Sequence, residues 1–167
     1  MNNPTVDFML GKEADAFGRH IAQLQNFDHF WLEYDHKYIQ MLFPMDTGSK
    51  FNKHAALITD VERALFAKSP ELRVIQLRSF DMMLDFYGLQ RDGKNISAKD
   101  ELSPKSHDWL KSRNHNQLRI TRIIRSLALL GQFELAQKFC VTMTELGQAY
   151  GDITPITYSY WQQALII

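Results

Sequence analysis

Residues 114–131, NHNQLRITRIIRSLALLG, combine a helical apolar pattern with a line of polar side chains. The steps of four, three and four residues along that line place its members on one face of a helix. The line consists of His115, Arg119, Arg122 and Ser126. Two guanidinium groups near a helix N-terminus could bind a carboxylate or phosphate. They could equally be solvated, or paired with carboxylates of neighbouring helices.

A second polar line runs along residues 28–43. It consists of His29, Glu33, His36 and Gln40. Glu33 and His36 have the Glu-x-x-His spacing of carboxylate-bridged di-metal bundles. Such a site needs a second pair, and the sequence contains no other Glu-x-x-His. We therefore expect Glu33 and His36 to contact each other, and the sequence predicts no metal ion or other cofactor.

Composition and motifs limit the functions that the sequence supports. The sequence has no nucleophile elbow, Walker loop, dinucleotide-binding glycine pattern or H-E-x-x-H, which favours a non-enzymatic protein. Lys plus Arg and Asp plus Glu are balanced at 19 each. Because nucleic-acid-binding proteins usually carry a basic excess, nucleic acid is not an expected partner.

The apolar spacing predicts an all-α fold, a bundle of about seven or eight helices. The predicted helices span residues 14–26, 28–43, 59–68, 70–87, 104–111, 115–130, 132–146 and 155–165. Thr59 and Glu62 have the capping-box spacing, and Ser69 precedes a proline at the first helical position. Gly88 and Gly131 are expected to end helices in the left-handed conformation.

Residues 44–54 and 90–101 are predicted to be loops because they gather Gly, Asp, Asn, Ser and Lys. Neither is long enough for an interdomain linker, so the sequence predicts a single domain over residues 1–167. Cys140 lies among apolar residues, which predicts a buried thiol. The sequence has no secretory signal and no apolar run long enough to span a bilayer, so we expect a cytoplasmic protein.

Four ordered motifs resemble the conserved N-terminal domain of the opioid growth factor receptor family. They are Phe8…Gly11…Asp15…Gly18-Arg19, LEYDHKYIQMLFP at residues 32–44, MLDFYG at 83–88 and NHNQLRITRIIRSL at 114–127. The resemblance spans residues 8–131, and residues 132–165 are predicted to add C-terminal helices. Met41 and Lys37 depart from the tryptophan and aspartate that the family pattern has at these two positions.

The resemblance implies the family's helical fold and a receptor-like role. The named function of the family is to bind an opioid pentapeptide, methionine enkephalin, and to restrain cell growth, in receptors at the nucleus and its envelope. The resemblance supplies no catalytic residues.

The leading hypothesis is a non-enzymatic binding domain, with a polar pocket between the helices at 28–43 and 115–130. Its ligand would be a small anionic or zwitterionic molecule, or a peptide. The predicted binding residues are Glu33, His36, Gln40, Asn114, His115, Asn116, Arg119 and Arg122. One alternative is an enzyme that uses His36 or His115 as acid or base. Another is a structural protein-interaction domain in which the polar residues bond to one another.

Overall fold

The structure, a computed structural model, describes residues 2–47 and 55–167. Helices make up most of these two ranges. The elements are α1 (Pro4–Met9), α2 (Ile21–Leu24), α3 (His29–Tyr34), α4 (Tyr38–Leu42), α5 (Asp60–Lys68), α6 (Pro70–Phe86), β1 (Leu89–Asp92), β2 (Asn95–Ala98), a 3₁₀ helix (Asp108–Leu110), α7 (Asn116–Leu129), α8 (Phe133–Tyr150) and α9 (Pro155–Gln163). No helix in this described part is both long and apolar enough to cross a membrane.

Helix α7 lies at the centre of the core. Its apolar face is fully buried and consists of Ile120, Ile123, Ile124 and Leu127. Helix α8 packs along α7, and α9 and the 3₁₀ helix also contact it. Gln117 joins these neighbours, because its carbonyl accepts the Trp161 indole N–H at 3.1 Å and its side chain donates to the Trp109 carbonyl at 2.9 Å. The start of α7 is therefore fixed from two sides.

The prediction of an all-α fold is only partly right, because residues 90–101 contain most of a β-hairpin rather than a loop. Strands β1 and β2 pair antiparallel, and Gly93, at φ 62°, opens the two-residue turn between them. Glycine at this position lets the turn follow the twist of the strands. Ion pairs from Arg91 to Asp81 and from Lys94 to Glu134 connect the hairpin to α6 and α8. The short strands are mostly exposed, so they lack the apolar alternation that predicts a strand.

Two predicted helices are interrupted where an aspartate binds the backbone. Within residues 14–26 only α2 is helical, because Asp15 Oδ1 accepts N–H groups two and four positions later at 2.9 and 2.8 Å. Residues 28–43 divide into α3 and α4, because Asp35 Oδ1 accepts N–H groups two and three positions later at 2.8 and 3.0 Å. Such side chains compete with the helical hydrogen bonds. Both predictions of a continuous helix were wrong for this reason.

The remaining predictions of local structure have mixed outcomes. The capping box of Thr59 and Glu62 is confirmed at the start of α5, and Ser69 caps α6. Gly88 and Gly131 both have φ 82°, as expected. Helix α1 was not predicted, and residues 104–111 form a turn and a 3₁₀ helix instead of an α-helix. Residues 48–54 of the predicted loop at 44–54 lie outside the described residues.

Candidate functional site

Arg119 on α7 binds the end of α3. Its Nη1 donates to the Leu32 carbonyl at 2.7 Å, and its Nη2 donates to the Asp35 and Glu33 carbonyls at 3.0 and 3.3 Å. Nη1 also donates to Asn116 Oδ1 at 3.0 Å. These carbonyls lie at a helix C-terminus, where a cation is favourable. Only 5% of Arg119 is exposed, so its guanidinium is used within the protein.

Arg122 binds the end of α4 in the same way. Its Nε donates to the Phe43 carbonyl at 2.8 Å, and its Nη2 donates to the Gln40 carbonyl at 3.3 Å. Burial lowers the pKa of Arg122 to about 10, because removal from water disfavours the charged form. The group still carries its charge at neutral pH.

A third arginine on α7, Arg125, binds two other segments of the chain, one just after α4 and one just after α9. Its Nε and Nη2 donate to the two carboxylate oxygens of Asp46 at 3.2 and 2.9 Å, and its Nη1 donates to the Ile166 carbonyl. We call Arg119, Arg122 and Arg125 the arginine ladder. Each of its members connects α7 to a different segment of the chain.

Near the start of α7, the polar side chains meet Glu33. Asn114 Oδ1 accepts the Asn116 N–H at 2.9 Å, within the first turn of α7. The two carboxylate oxygens of Glu33 accept from His115 Nε2 at 2.9 Å and from Asn116 Nδ2 at 3.1 Å. The structure therefore brings Glu33, His115 and Asn116 together, with Arg119 Nη1 3.9 Å from the carboxylate.

His36 lies beside this group with a defined tautomer. Its Nδ1 is 3.3 Å from Arg119 Nη2, and because a guanidinium only donates, Nδ1 must be the acceptor. The neutral ring therefore carries its proton on Nε2. Burial and the positive charges of Arg119 and His115 lower the pKa of His36. Its ring packs edge-on against that of His115, with the centroids 5.6 Å apart.

A cleft of about 220 Å³ opens beside Glu33 and Asn116. We call it the Glu33 cleft. It is lined by His29, Glu33, Phe86, Tyr87, Ser106, His107, Asp108, Trp109 and Asn116. These residues come from α3, the end of α6, the 3₁₀ region and the start of α7. Two of the eight predicted binding residues, Glu33 and Asn116, line the cleft, and His115 is bonded to one of them.

Tyr87 is the most unusual residue of the Glu33 cleft. It is only 1% exposed, and its hydroxyl has no hydrogen-bond partner among the described residues. Burial raises the pKa of Tyr87 well above its ordinary value, so the hydroxyl remains protonated. Its backbone carbonyl accepts the Trp109 indole N–H at 3.0 Å, which joins two walls of the cleft.

His107 lines the cleft and has a fixed tautomer. Its Nδ1 accepts the Ser103 N–H at 3.4 Å, so its Nε2 donates to Asp100 at 3.2 Å. Gly88 allows this close packing, because a Cβ added there would lie 2.6 Å from His107 Nε2.

The other predicted site residues lie away from the Glu33 cleft. Gln40 lines a separate cavity of about 340 Å³ beside α1, together with Met41. His36, Asn114 and the two arginines do not line the Glu33 cleft. No group of three or more His, Cys, Asp or Glu side chains in the described ranges is arranged to hold a metal ion. An anion-binding role for Arg119 and Arg122 stays a prediction.

Sequence reasoning missed several cleft residues, above all Tyr87, His107 and Trp109. A signal was available for Tyr87, which lies in the MLDFYG motif. His107 and Trp109 lie in a segment that was predicted to be an ordinary helix. No periodic pattern marks them, because they reach the cleft from a turn and a 3₁₀ helix.

Comparison with known proteins shows the family to which the chain belongs. The chain matches the family described as "Opioid growth factor receptor (OGFr) conserved region" over residues 16–164. This match includes α2–α9 and all residues of the Glu33 cleft. The chain belongs to the opioid growth factor receptor family.

Several relatives share the matched region. The opioid growth factor receptor of Mus musculus is 42% identical over 103 residues, which are 60% of this chain and 16% of the relative. The Homo sapiens receptor is 38% identical over 102 residues, which are 60% of this chain and 15% of the relative. Opioid growth factor receptor-like protein 1 of Xenopus tropicalis is 37% identical over 106 residues, 62% of this chain and 20% of the relative. Each match thus covers a fifth or less of the relative. No solved structure matches significantly.

Proposed function

We propose that this chain is a receptor-like binding module that takes a small ligand, or the end residue of a peptide, in the Glu33 cleft without converting it chemically. The observation that carries this proposal is Glu33, a carboxylate with a 36% exposed side chain that lines a cleft of about 220 Å³. Each of its oxygens accepts one hydrogen bond, from His115 and from Asn116, whereas a carboxylate can accept about four. A ligand group in the cleft can therefore bond to it.

The surroundings of the cleft support the same role. Polar groups, among them Glu33 and Asn116, make up most of the accessible lining, and Phe86 adds a smaller apolar part, so hydrogen bonds and charge would contribute most to ligand binding. In this proposal the arginine ladder holds α3 and α4 against α7 and so keeps Glu33 in position. The relatives named above are called receptors or receptor-like, which is consistent with binding rather than catalysis.

An enzyme that uses His36 or His115 has weaker support. The Nδ1 of His36 accepts from Arg119, and Nε2 of His115 is bonded to Glu33. Neither ring lines the Glu33 cleft. Turnover of a bound probe that is lost in His115→Gln would nevertheless replace our proposal with the enzymatic one.

The test uses the three tryptophans as reporters. Trp109 lines the cleft, whereas Trp161 is buried between α9 and α7, and Trp31 is exposed on α3. Methionine enkephalin and single amino acids are titrated into ¹⁵N-labelled protein while the indole N–H signals are recorded. Binding in the cleft is expected to shift the Trp109 signal and leave the Trp161 signal in place.

Two variants sharpen this experiment. Ser106→Ala removes only an exposed hydroxyl that lines the cleft, so it should weaken binding by roughly 2- to 12-fold, the equivalent of one neutral hydrogen bond. Tyr158→Phe removes a hydroxyl on α9, outside the cleft, and should leave binding unchanged. If no probe moves the Trp109 signal, the cleft does not bind these ligands and a protein-interaction role is favoured instead.

A further inference from the structure

The charges around the Glu33 cleft indicate which kind of ligand it would take. Its nine lining residues include two carboxylates, Glu33 and Asp108, and neither lysine nor arginine. Asp108 forms an ion pair with Lys111 at 2.7 Å, and Glu33 lies 3.9 Å from Arg119 Nη1. Arg119 makes no hydrogen bond to the Glu33 carboxylate, so Glu33 is the carboxylate that a cationic ligand group can bind directly.

Glu33 has unused capacity to accept hydrogen bonds. Each of its carboxylate oxygens accepts one bond, from His115 and from Asn116. A carboxylate offers about four lone-pair sites, so about two remain. The side chain is 36% exposed, so a ligand in the cleft can approach it. Arg119 lies 3.9 Å away, so its charge offsets part of the charge of Glu33, but its hydrogen bonds go to carbonyls, Asn116 and His36.

Phe86 is partly exposed in the cleft, whereas the rings of Tyr87 and Trp109 are each only 1% exposed. The exposed His29 ring meets Phe86 edge-on, with the centroids 5.5 Å apart. The face of a phenyl ring attracts a cation, so Phe86 adds to the attraction of Glu33 for a positively charged group.

We infer that the Glu33 cleft binds an organic ammonium group, such as a primary amine or a peptide N-terminus, with Glu33 as its counter-ion. This inference rests on the proposed function and specifies its ligand. The volume corresponds to about seven water molecules, so the cleft takes an ammonium group with one attached side chain rather than a long peptide.

The test compares three probes of similar size and shape. They are 2-phenylethylammonium, which is a cation, 2-phenylethanol, which is neutral, and 3-phenylpropionate, which is an anion. Each is titrated while the Trp109 indole signal is followed by NMR. The cation is expected to bind at least about 10-fold more tightly than the neutral probe, since a charge-assisted contact contributes on the order of 1.5 kcal/mol or more.

Glu33→Gln keeps the shape of the side chain and removes its charge. It should weaken binding of the cation by about 10-fold and leave binding of 2-phenylethanol unchanged. Glu134→Gln on α8 is the matched control, because Glu134 pairs with Lys94 away from the cleft. Equal affinities for cation and neutral probe, or an unchanged cation affinity in Glu33→Gln, would overturn the ammonium inference while the proposed binding function stands. If none of the three probes moves the Trp109 signal, the ammonium inference fails, and the titrations with methionine enkephalin and single amino acids test the proposed function separately.

Discussion

Replacement of Arg119 by methionine should destabilise the protein strongly. The guanidinium donates to three carbonyls at the end of α3, to Asn116 and to His36. Methionine fills a similar volume but donates nothing. The Leu32 carbonyl keeps the Tyr38 hydroxyl as a donor at 2.8 Å, whereas those of Glu33 and Asp35 lose the bonds they receive from Arg119.

The expected loss is about 3–5 kcal/mol in the free energy of unfolding, because the Glu33 and Asp35 carbonyls and Asn116 Oδ1 each lose a charged donor, at about 1–3 kcal/mol per group. For a chain of this size the melting midpoint then falls by roughly 10 °C. Arg119→Lys keeps the charge and can retain one or two of the bonds, so it should lose about half as much. Urea unfolding of each variant, followed by circular dichroism, measures the difference.

The control is Arg78→Met, because Arg78 is also on a helix but is exposed, and its side chain makes no hydrogen bond or ion pair with another described residue. It should change stability by less than about 0.5 kcal/mol. If Arg119→Met is no more harmful than this control, then Arg119 does not hold α3. A purely ligand-binding role for the arginine would produce that result.

Further expected outcomes concern Gly88 and His36. Gly88→Ala, at φ 82°, places a methyl group 2.6 Å from His107 Nε2, so it should lower the free energy of unfolding in urea by about 2–3 kcal/mol. Gly93→Ala, at φ 62° with nothing within 4 Å of the added Cβ, should lower it by about 1 kcal/mol. Equal losses would show that His107 moves away freely. The pKa of His36 is lower in the folded protein than its ordinary value of about 6.5, so the unfolded chain binds more protons between these two pKa values. Stability should therefore fall as pH falls through this interval. His36→Asn, which keeps an acceptor for Arg119 but does not titrate, should show a shallower decline in unfolding free energy from pH 8 to pH 5, and an identical decline would contradict this role.

The long helices were predictable because their signals are local. The capping box of α5, the proline that follows Ser69 and the apolar face of α7 all depend on residues within a few turns. The breaks at Asp15 and Asp35 were not predictable from periodicity, since an aspartate in a helix pattern can point to solvent or bind the backbone. The outcome depends on a third residue, here Arg19, which forms ion pairs with the carboxylates of both Asp15 and Asp35.

For the two polar lines, too, part of the arrangement could be predicted from the sequence and part could not. The sequence located side chains that interact, including Glu33, Asn116 and Arg119. It could not indicate whether an arginine on a polar helix face would meet a ligand, a carboxylate or a carbonyl, because that depends on which segment packs against α7. The Glu33 cleft was still harder to predict, since its walls come from four segments that are distant in sequence.

The most direct test of a ligand site in the Glu33 cleft is to locate a bound probe by intermolecular nuclear Overhauser effects. We expect 2-phenylethylammonium to show contacts to ring protons of Phe86 and Trp109. Contacts to the Met41 methyl group would instead place the probe in the cavity beside α1. That result would contradict our account of the Glu33 cleft as the binding site.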